Sequence, residues 1–365
     1  MDIAIVDFIG EYGKDTIKNP LGGSETWTMY IASQFAKMGH KTYVINANDR
    51  LYIDSNNVTY IGYYRYARTI DRAHLPNFTI ISRVIYREVM DFFISLGSKI
   101  FLMCHDLYPA FVEGLGWSSE PIFSEVVPSE VDRVFALSEA HKKTLIDKMH
   151  VNPYKIRLTI NAIDFSKFKN CNSGERDFSI LFSSCKSRGL DILVNDVAPL
   201  VLREIPEFKV KHCTYEKGVD FSSVASKQWF EQIGGFNKEE LYNEMSKHRV
   251  WAYPSTFYET FCITAIENVM AGNEVVSPMT YGLSTTLGFM IEDKMLSSFS
   301  NRFTYARACN EMASKIVHLM RHYYDSDRID IREARKEIVM QKYTWENAAN
   351  TFIDEAMAMD NVKSC

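Results

Sequence analysis

Two textures of apolar residues alternate along this chain. Ile3 to Phe8 is a short, nearly continuous apolar run, the pattern of a parallel strand covered on both faces. After a polar loop, Trp27, Tyr30, Ile31, Phe35 and Met38 recur at three- and four-residue steps. They predict one face of a helix that stops at Gly39. Lys41 to Ala47 reads as the next strand, and further apolar runs follow at Val58 to Tyr63, Phe78 to Val84, Lys99 to Cys104, Val131 to Leu137 and Ile156 to Ile160. Strands separated by helical or irregular stretches in this way predict an α/β class and a doubly wound parallel sheet.

The pattern restarts near residue 165. Phe178 to Ser183, Phe208 to Cys213, Arg249 to Tyr253 and Glu274 to Ser277 read as strands. Leu190 to Glu204, Lys238 to Lys247 and Ile263 to Ala271 read as helices, the last ended by Gly272. From about Arg302 onward the chain reads mostly as helix. The polar stretch Asp164 to Gly174 has linker composition. These features predict one Rossmann-like domain over residues 1–165, a second over 166–340 and a closing helical segment over 341–365. In open parallel sheets the ligand crevice lies outside the carboxyl ends of the strands, so two such crevices facing each other predict a cleft lined by post-strand loops.

Composition narrows the function classes. The 365 residues suit two domains, and 46% hydrophobic with 24% charged residues is ordinary for a globular chain. The balance of 41 basic against 46 acidic residues gives a net charge of −5, which speaks against nucleic acid as a partner. Seven scattered cysteines without a C-x-x-C pair signal neither a disulfide framework nor a zinc site. A reducing, cytoplasmic setting follows, supported by an N-terminus unlike a signal peptide and by no run of about 18 apolar residues. Peripheral membrane contact stays open, because an amphipathic surface helix leaves no long apolar run.

The candidate chemistry lies after strands. Gly22-Gly23-Ser24 opens the Trp27 helix, where paired glycines let a phosphate approach unpaired N–H groups at the positive end of the helix dipole; a plain turn with Ser24 as cap is the alternative. No G-x-G-x-x-G or Walker sequence occurs, and Gly114-Leu115-Gly116 lacks the strand-to-helix context. His105 and Asp106 end the run Ile100 to Cys104 and put an imidazole at a strand's carboxyl end. Glu259 stands in the loop after Arg249 to Tyr253, and Glu267 lies eight residues on inside the next helix among Ile266, Val269 and Met270. A buried carboxylate at such a loop accepts hydrogen bonds from sugar hydroxyls, and one farther along binds a pair of ribose hydroxyls. The N–H groups of Phe261, Cys262 and Ile263 would face a diphosphate.

This segment resembles the E-x7-E signature of retaining glycosyltransferases of the GT-B fold, specifically glycosyltransferase family 4. Other landmarks fall in that family's order: Gly22-Gly23, His105, Ser138-Glu139 opening a helix, Ile160 to Asp164 with Phe168, Ser183 to Leu190 after the first strand of the second domain, and Tyr343-Thr344-Trp345-Glu346 opening the final helix. The resemblance implies two Rossmann-like domains facing across a cleft, a first domain that takes the acceptor, a second that takes the nucleotide-sugar donor, and a closing helix that packs back on the first. It implies sugar transfer from a UDP-, GDP- or other nucleotide-diphosphate sugar to a carbohydrate or glycolipid hydroxyl, with retention and with no metal or cofactor.

By the same resemblance, Arg188 beside Gly189 would bind the donor diphosphate, Glu259 would hold the donor sugar, Glu267 would bind the ribose, and His105 would contact the sugar near the reacting centre. Gly22 and Gly23 would shape a phosphate or acceptor site. The family's second basic residue falls on Ser183, for which Lys186 is the substitute, with a merely solvated Lys186 as the alternative. Cys262 reads as a small packing residue rather than a nucleophile, and Asp325-Ser326-Asp327 as a turn and cap rather than a metal-binding D-x-D. A binding subunit without turnover and a nucleotide-sugar epimerase are the competing functions.

Overall fold

The computed structural model describes residues 1–10, 12, 22–113, 127–169, 171, 174–213, 218–291, 294–295 and 297–363. Gly114-Leu115-Gly116 lies outside these residues, as do Asn170, Asn172 and Ser173 of the polar linker stretch. The chain divides into two compact units, one formed by Met1–Ala162 with Tyr343–Cys365 and the other by Ile163–Lys342.

The first unit is built on an eight-stranded sheet. Its strands are β1 (Asp2–Val6), β2 (Lys41–Asn46), β3 (Leu51–Ile53), β4 (Thr59–Gly62), β5 (Phe78–Ser82), β7 (Lys99–Met103), β9 (Arg133–Ala136) and β10 (Ile156–Leu158), in spatial order β10-β9-β7-β5-β1-β2-β4-β3. Two short strands, β6 (Val84–Tyr86) and β8 (Ala110–Val112), pair with each other beside it. Every neighbour pair in the large sheet is parallel except β3 with β4. The chain runs outward from β1 through β2 to β4, then returns to β5 on β1's other side. The order therefore reverses between β1 and β5, and a ligand crevice belongs outside the carboxyl ends of those two strands.

Helices α1 (Gly23–Lys37), α2 (Tyr63–Thr69), α3 (Arg87–Ser95) and α4 (Glu139–Met149) belong to this unit. The central apolar runs bury completely, as in a sheet covered on both faces: every residue of β5 and of β7 is buried, whereas the edge strand β10 leaves Leu158 exposed. The C-terminal helix, Trp345–Lys363, contributes Phe352 to one side of this core, where it meets Trp27, Phe35 and Phe135 at ring distances of 5.8, 6.3 and 4.2 Å. Trp345 stacks on Tyr30 at 5.3 Å, and the half-buried Glu355 accepts from both Arg133 and Arg157.

The second unit carries a parallel sheet of β11 (Ser179–Phe182), β12 (Lys209–His212) and β13 (Phe230–Gln232), and a parallel pair of β14 (Val250–Ala252) and β15 (Glu274–Val276). The predicted helix from Leu190 is α over Leu190–Ile192, widens into a π-turn over Leu193–Val197 and is α again over Ala198–Leu202. Pro199 supplies the cause, since it has no N–H to donate to the preceding turn. Helices Ser222–Ala225, Lys238–Met245, Ile263–Met270, Gly282–Thr286, Tyr305–Arg321 and Ser326–Lys342 complete the unit. Asp325 and Asp327 flank the start of the last of these. Glu274, the first residue of β15, is fully buried and held by Arg328, Arg332 and Arg335 at once.

Candidate functional site

In the second unit, the segments after β11 and β14 bring Arg188 and Glu259 together. The turn after β11, Lys186–Arg188, ends at Gly189, which has φ +111° and lies so close to the Pro254 carbonyl that a Cβ would stand 2.7 Å from its oxygen. Only glycine meets both demands. The turn thereby sits against the loop after β14, and Arg188 Nη1 donates to Glu259 Oε1, which also accepts from Tyr253 Oη at 2.6 Å. Phe257 lies under the Arg188 guanidinium at 4.0 Å. Burial alone would lower the Arg188 pKa, but the charge and hydrogen bond of Glu259 raise it overall. The guanidinium retains N–H groups beyond the one it spends on Glu259, and its side chain is 30% exposed.

The Glu259 loop is fixed from behind by Gly282, a residue the sequence reading did not single out. Its N–H donates to the Glu259 carbonyl at 2.8 Å, and a Cβ there would lie 2.5 Å from backbone atoms of both Glu259 and Thr260. Phe261 is buried, and its carbonyl accepts from Thr286 Oγ1 at 2.6 Å. Cys262 caps the Ile263–Met270 helix with φ +75° and ψ +79°, a left-handed conformation that costs a side chain energy. Ile263 begins the helix, so its N–H is among those with no partner within the helix. Burial first, and Glu259's charge second, push the Cys262 thiol well above its ordinary pKa, which leaves no thiolate for nucleophilic work.

Glu267 is 2% exposed, and its Oε1 accepts from Lys238 Nζ at 2.6 Å and Tyr242 Oη at 2.8 Å. Both donors stand on the Lys238–Met245 helix, and Tyr242 stacks on Phe168 at 4.1 Å. A buried carboxylate needs such donors. Lys186 does not point freely to solvent: Nζ donates to the Asp220 carbonyl at 2.6 Å and to Ser223 Oγ at 2.9 Å. At the end of β11, Ser183 Oγ is buried and has no hydrogen-bond partner among the described residues.

The first unit gathers its own set at the β1/β5 reversal. Asp7, just past β1, is 1% exposed and accepts from the N–H groups of Ile9 and Gly10, from Tyr12 Oη at 2.6 Å and from Thr28 Oγ1 at 2.7 Å. It ties the post-β1 segment to α1. Gly22 precedes α1 and Gly23 opens it, half-buried and exposed respectively. His105 lies beyond β7 with its ring edge-on to Trp27 at 4.9 Å. Burial, then the charge of Arg83, lowers the His105 pKa to about 3, so the ring is neutral at pH 7.

Arg83 leaves no signal in the sequence, because the run Phe78 to Val84 has the pattern of one strand. The strand ends at Ser82, and Arg83 turns left-handed at φ +66° before β6 begins. That turn aims its guanidinium at Asp106 Oδ2, 2.7 Å from Nε, and at Ser24 Oγ, 3.0 Å from Nη1. A cation therefore sits at the mouth of α1. Of the tyrosines around residue 63, Tyr63 and Tyr66 are core residues, Tyr64 is exposed and Tyr60 lines a cavity. Among the described residues, no group of three or more His, Cys, Asp or Glu could hold a metal ion, and no helix is long and apolar enough to cross a membrane.

No family model matches the chain. It is 27% identical over 127 residues to the lipopolysaccharide 1,2-N-acetylglucosaminetransferase of Salmonella typhimurium, covering 33% of this chain and only 29% of that protein's length. Among solved structures it is similar to sucrose-phosphate synthase from Thermosynechococcus elongatus, with a TM-score of 0.66 and 14% identity over 99% of each chain. It is similar to the pneumococcal O-GlcNAc transferase GtfA in complex with UDP and GlcNAc, at 0.66 and 13% identity over 98% of this chain and 99% of that one. The glycosyltransferase WaaG, involved in lipopolysaccharide biosynthesis, matches at 0.58 and 13% over 92% and 99%. At such identities the likeness concerns architecture, and the mostly parallel α/β chain has the GT-B fold.

Proposed function

We propose that this chain is a glycosyltransferase that moves a sugar from a nucleotide-diphosphate donor to a hydroxyl acceptor, with retention at the anomeric carbon, without a metal, as in family 4. The observation that carries this reading is a pair of carboxylates at the Ile263–Met270 helix: Glu259 bound by Arg188 and Tyr253 before its first turn, and Glu267 buried within it. The GT-B fold and the partial likeness to an N-acetylglucosaminetransferase support it.

In this reading the remaining Arg188 N–H groups and the N–H groups at Cys262 and Ile263 receive the diphosphate and stabilise its charge as it leaves. Glu259, with one oxygen spent on Arg188 and Tyr253, offers the other to sugar hydroxyls. Glu267 takes the ribose hydroxyls beside Lys238. Neutral His105 contributes hydrogen bonds near the reacting carbon, Gly22 and Gly23 let the ligand approach α1, and Lys186 braces the segment at Asp220 to Ser223. The catalysis is electrostatic and positional.

A binding subunit without turnover is the second reading, favoured by the neutral Ser183 at the family's basic position and by Lys186 being held at Asp220 and Ser223. Thermal-shift titration of the purified chain with UDP-, GDP-, ADP- and dTDP-sugars, followed by assay of released nucleoside diphosphate, separates the two. Stabilisation by one donor with nucleotide release supports the enzyme; stabilisation without release across a broad acceptor panel supports the binding subunit; no stabilisation by any donor removes both.

A further inference from the structure

An open cavity of about 360 Å³ lies in the first unit, lined by Tyr12, Asp49, Arg50, Tyr52, Tyr60 and Arg65, with Leu51 beside them. Three tyrosines form its wall as a column: Tyr12 on Tyr60 at 6.0 Å and 28°, and Tyr52 on Tyr60 at 5.9 Å and 27°. The column is assembled by local devices. Gly10 has no side chain to displace the Tyr12 ring, which would stand 2.4 Å from a Cβ there, and Asp7 holds the Tyr12 hydroxyl. Gly62 plays the same part for the rim. A Cβ at Gly62 would meet the Asn48 carbonyl oxygen at 2.4 Å and the Asp49 Cα at 2.8 Å, and its N–H donates to the Arg50 carbonyl at 3.2 Å. The 48–50 turn thus folds tightly onto the end of β4 and brings Asp49 and Arg50 to the cavity.

The rim carries two guanidinium groups and one carboxylate. Arg65 Nε lies 3.6 Å from Asp49 Oδ1, and among the described lining residues Arg50 has no acidic partner of its own. Flat aromatic walls suit the C–H faces of sugar rings, and guanidinium forks suit carboxylate or phosphate oxygens. The volume falls at the small end of ligand pockets, which begin at roughly 300 Å³. The cavity also opens at the carboxyl ends of β2 and β4, the same end of the sheet as Asp7, His105 and Arg83, and Tyr12 belongs to both places.

We propose that this cavity is an acceptor subsite that binds one sugar unit bearing an anionic substituent, with the ring against Tyr52 and Tyr60 and the anion on Arg50 and Arg65. Its role as an acceptor site rests on the glycosyl transfer proposed above; its binding chemistry does not. The test is saturation-transfer NMR titration of the full chain, without nucleotide, using methyl glucuronide, glucose 6-phosphate and methyl glucoside. Both or either of the anionic sugars should bind at least about tenfold more tightly than the neutral one, and the preference between them identifies carboxylate or phosphate as the natural group. Arg50→Ala, at an exposed position, should remove that preference, and Tyr52→Ala should weaken all three sugars together. Equal affinity for charged and neutral sugars, or an unchanged preference in Arg50→Ala, overturns the proposal. Thermal-shift responses to nucleotide sugars should be the same in Arg50→Ala as in the unaltered chain, so loss of the subsite and failure of the donor reading register in different measurements.

Discussion

Gly282→Ala sets two effects of opposite sign against each other. Gly282 opens the Gly282–Thr286 helix, and there alanine is favoured over glycine by up to about 1 kcal/mol on helix propensity alone. The new methyl, however, would lie 2.5 Å from the Glu259 carbonyl oxygen and from the carbonyl carbon and oxygen of Thr260. Ordinary contact begins near 3.4 Å, so the backbone must open by about 3.4 − 2.5 = 0.9 Å, and the atoms in the way are main chain rather than flexible side-chain tips. Overpacking of this kind costs about 1–3 kcal/mol, which exceeds the propensity gain. The same opening stretches the 2.8 Å hydrogen bond from Gly282 and moves Glu259 relative to Arg188. A displacement near 1 Å at a positioning group lowers turnover about 100-fold. Urea unfolding should therefore show net destabilisation, and steady-state assay with the donor found by thermal shift should show the loss chiefly in kcat. A variant as stable as the unaltered chain, with equal kcat, would refute the claim that Gly282 sets the Glu259 loop.

Glu267→Ala should raise donor KM by about 10- to 100-fold with little change in kcat, while Arg188→Ala should lower kcat by about 100- to 1,000-fold, both read from initial rates. Glu274→Ala removes the one carboxylate shared by Arg328, Arg332 and Arg335 and should cost about 3–5 kcal/mol in urea unfolding. His105, with its folded pKa near 3 against 6.5 unfolded, makes stability fall with acidity: the unfolded chain takes up the proton first, so the loss begins below pH 6.5 and continues to about pH 3. Its slope is at most about 1.4 kcal/mol per pH unit, and between pH 6.5 and 5 Tm should fall less steeply with acidity in His105→Gln, the rest of the slope coming from His141 and His248, which burial lowers as well.

Much of this was legible in the chain because buried parallel strands leave continuous apolar runs. Each run in the first unit lies on an observed strand; the alternation gave the α/β class, and the resemblance of the ordered motifs to family 4 implied the GT-B fold. What escaped was short or nonlocal. Strand β3 has Leu51 and Ile53 exposed on a sheet edge, so its pattern carries no core signal. Val84 joined the preceding run because a left-handed Arg83 leaves no mark in hydropathy. Lys238 and Tyr242 serve Glu267 from another helix, and Gly282 serves Glu259 through a backbone contact; neither pairing has a fixed spacing. Lys186 stood in the expected turn, but its partners at Asp220 and Ser223 lie more than thirty residues away.

The central claim is glycosyl transfer with retention, and product NMR tests it most directly. The chain is incubated with the nucleotide sugar that stabilises it and an anionic sugar acceptor, and the anomeric proton coupling of the new glycoside is compared with that of the donor. The account predicts release of nucleoside diphosphate and a product with the donor's anomeric configuration, both lost in Arg188→Ala. A product of inverted configuration, or no nucleotide release from any of the four donors, would contradict it.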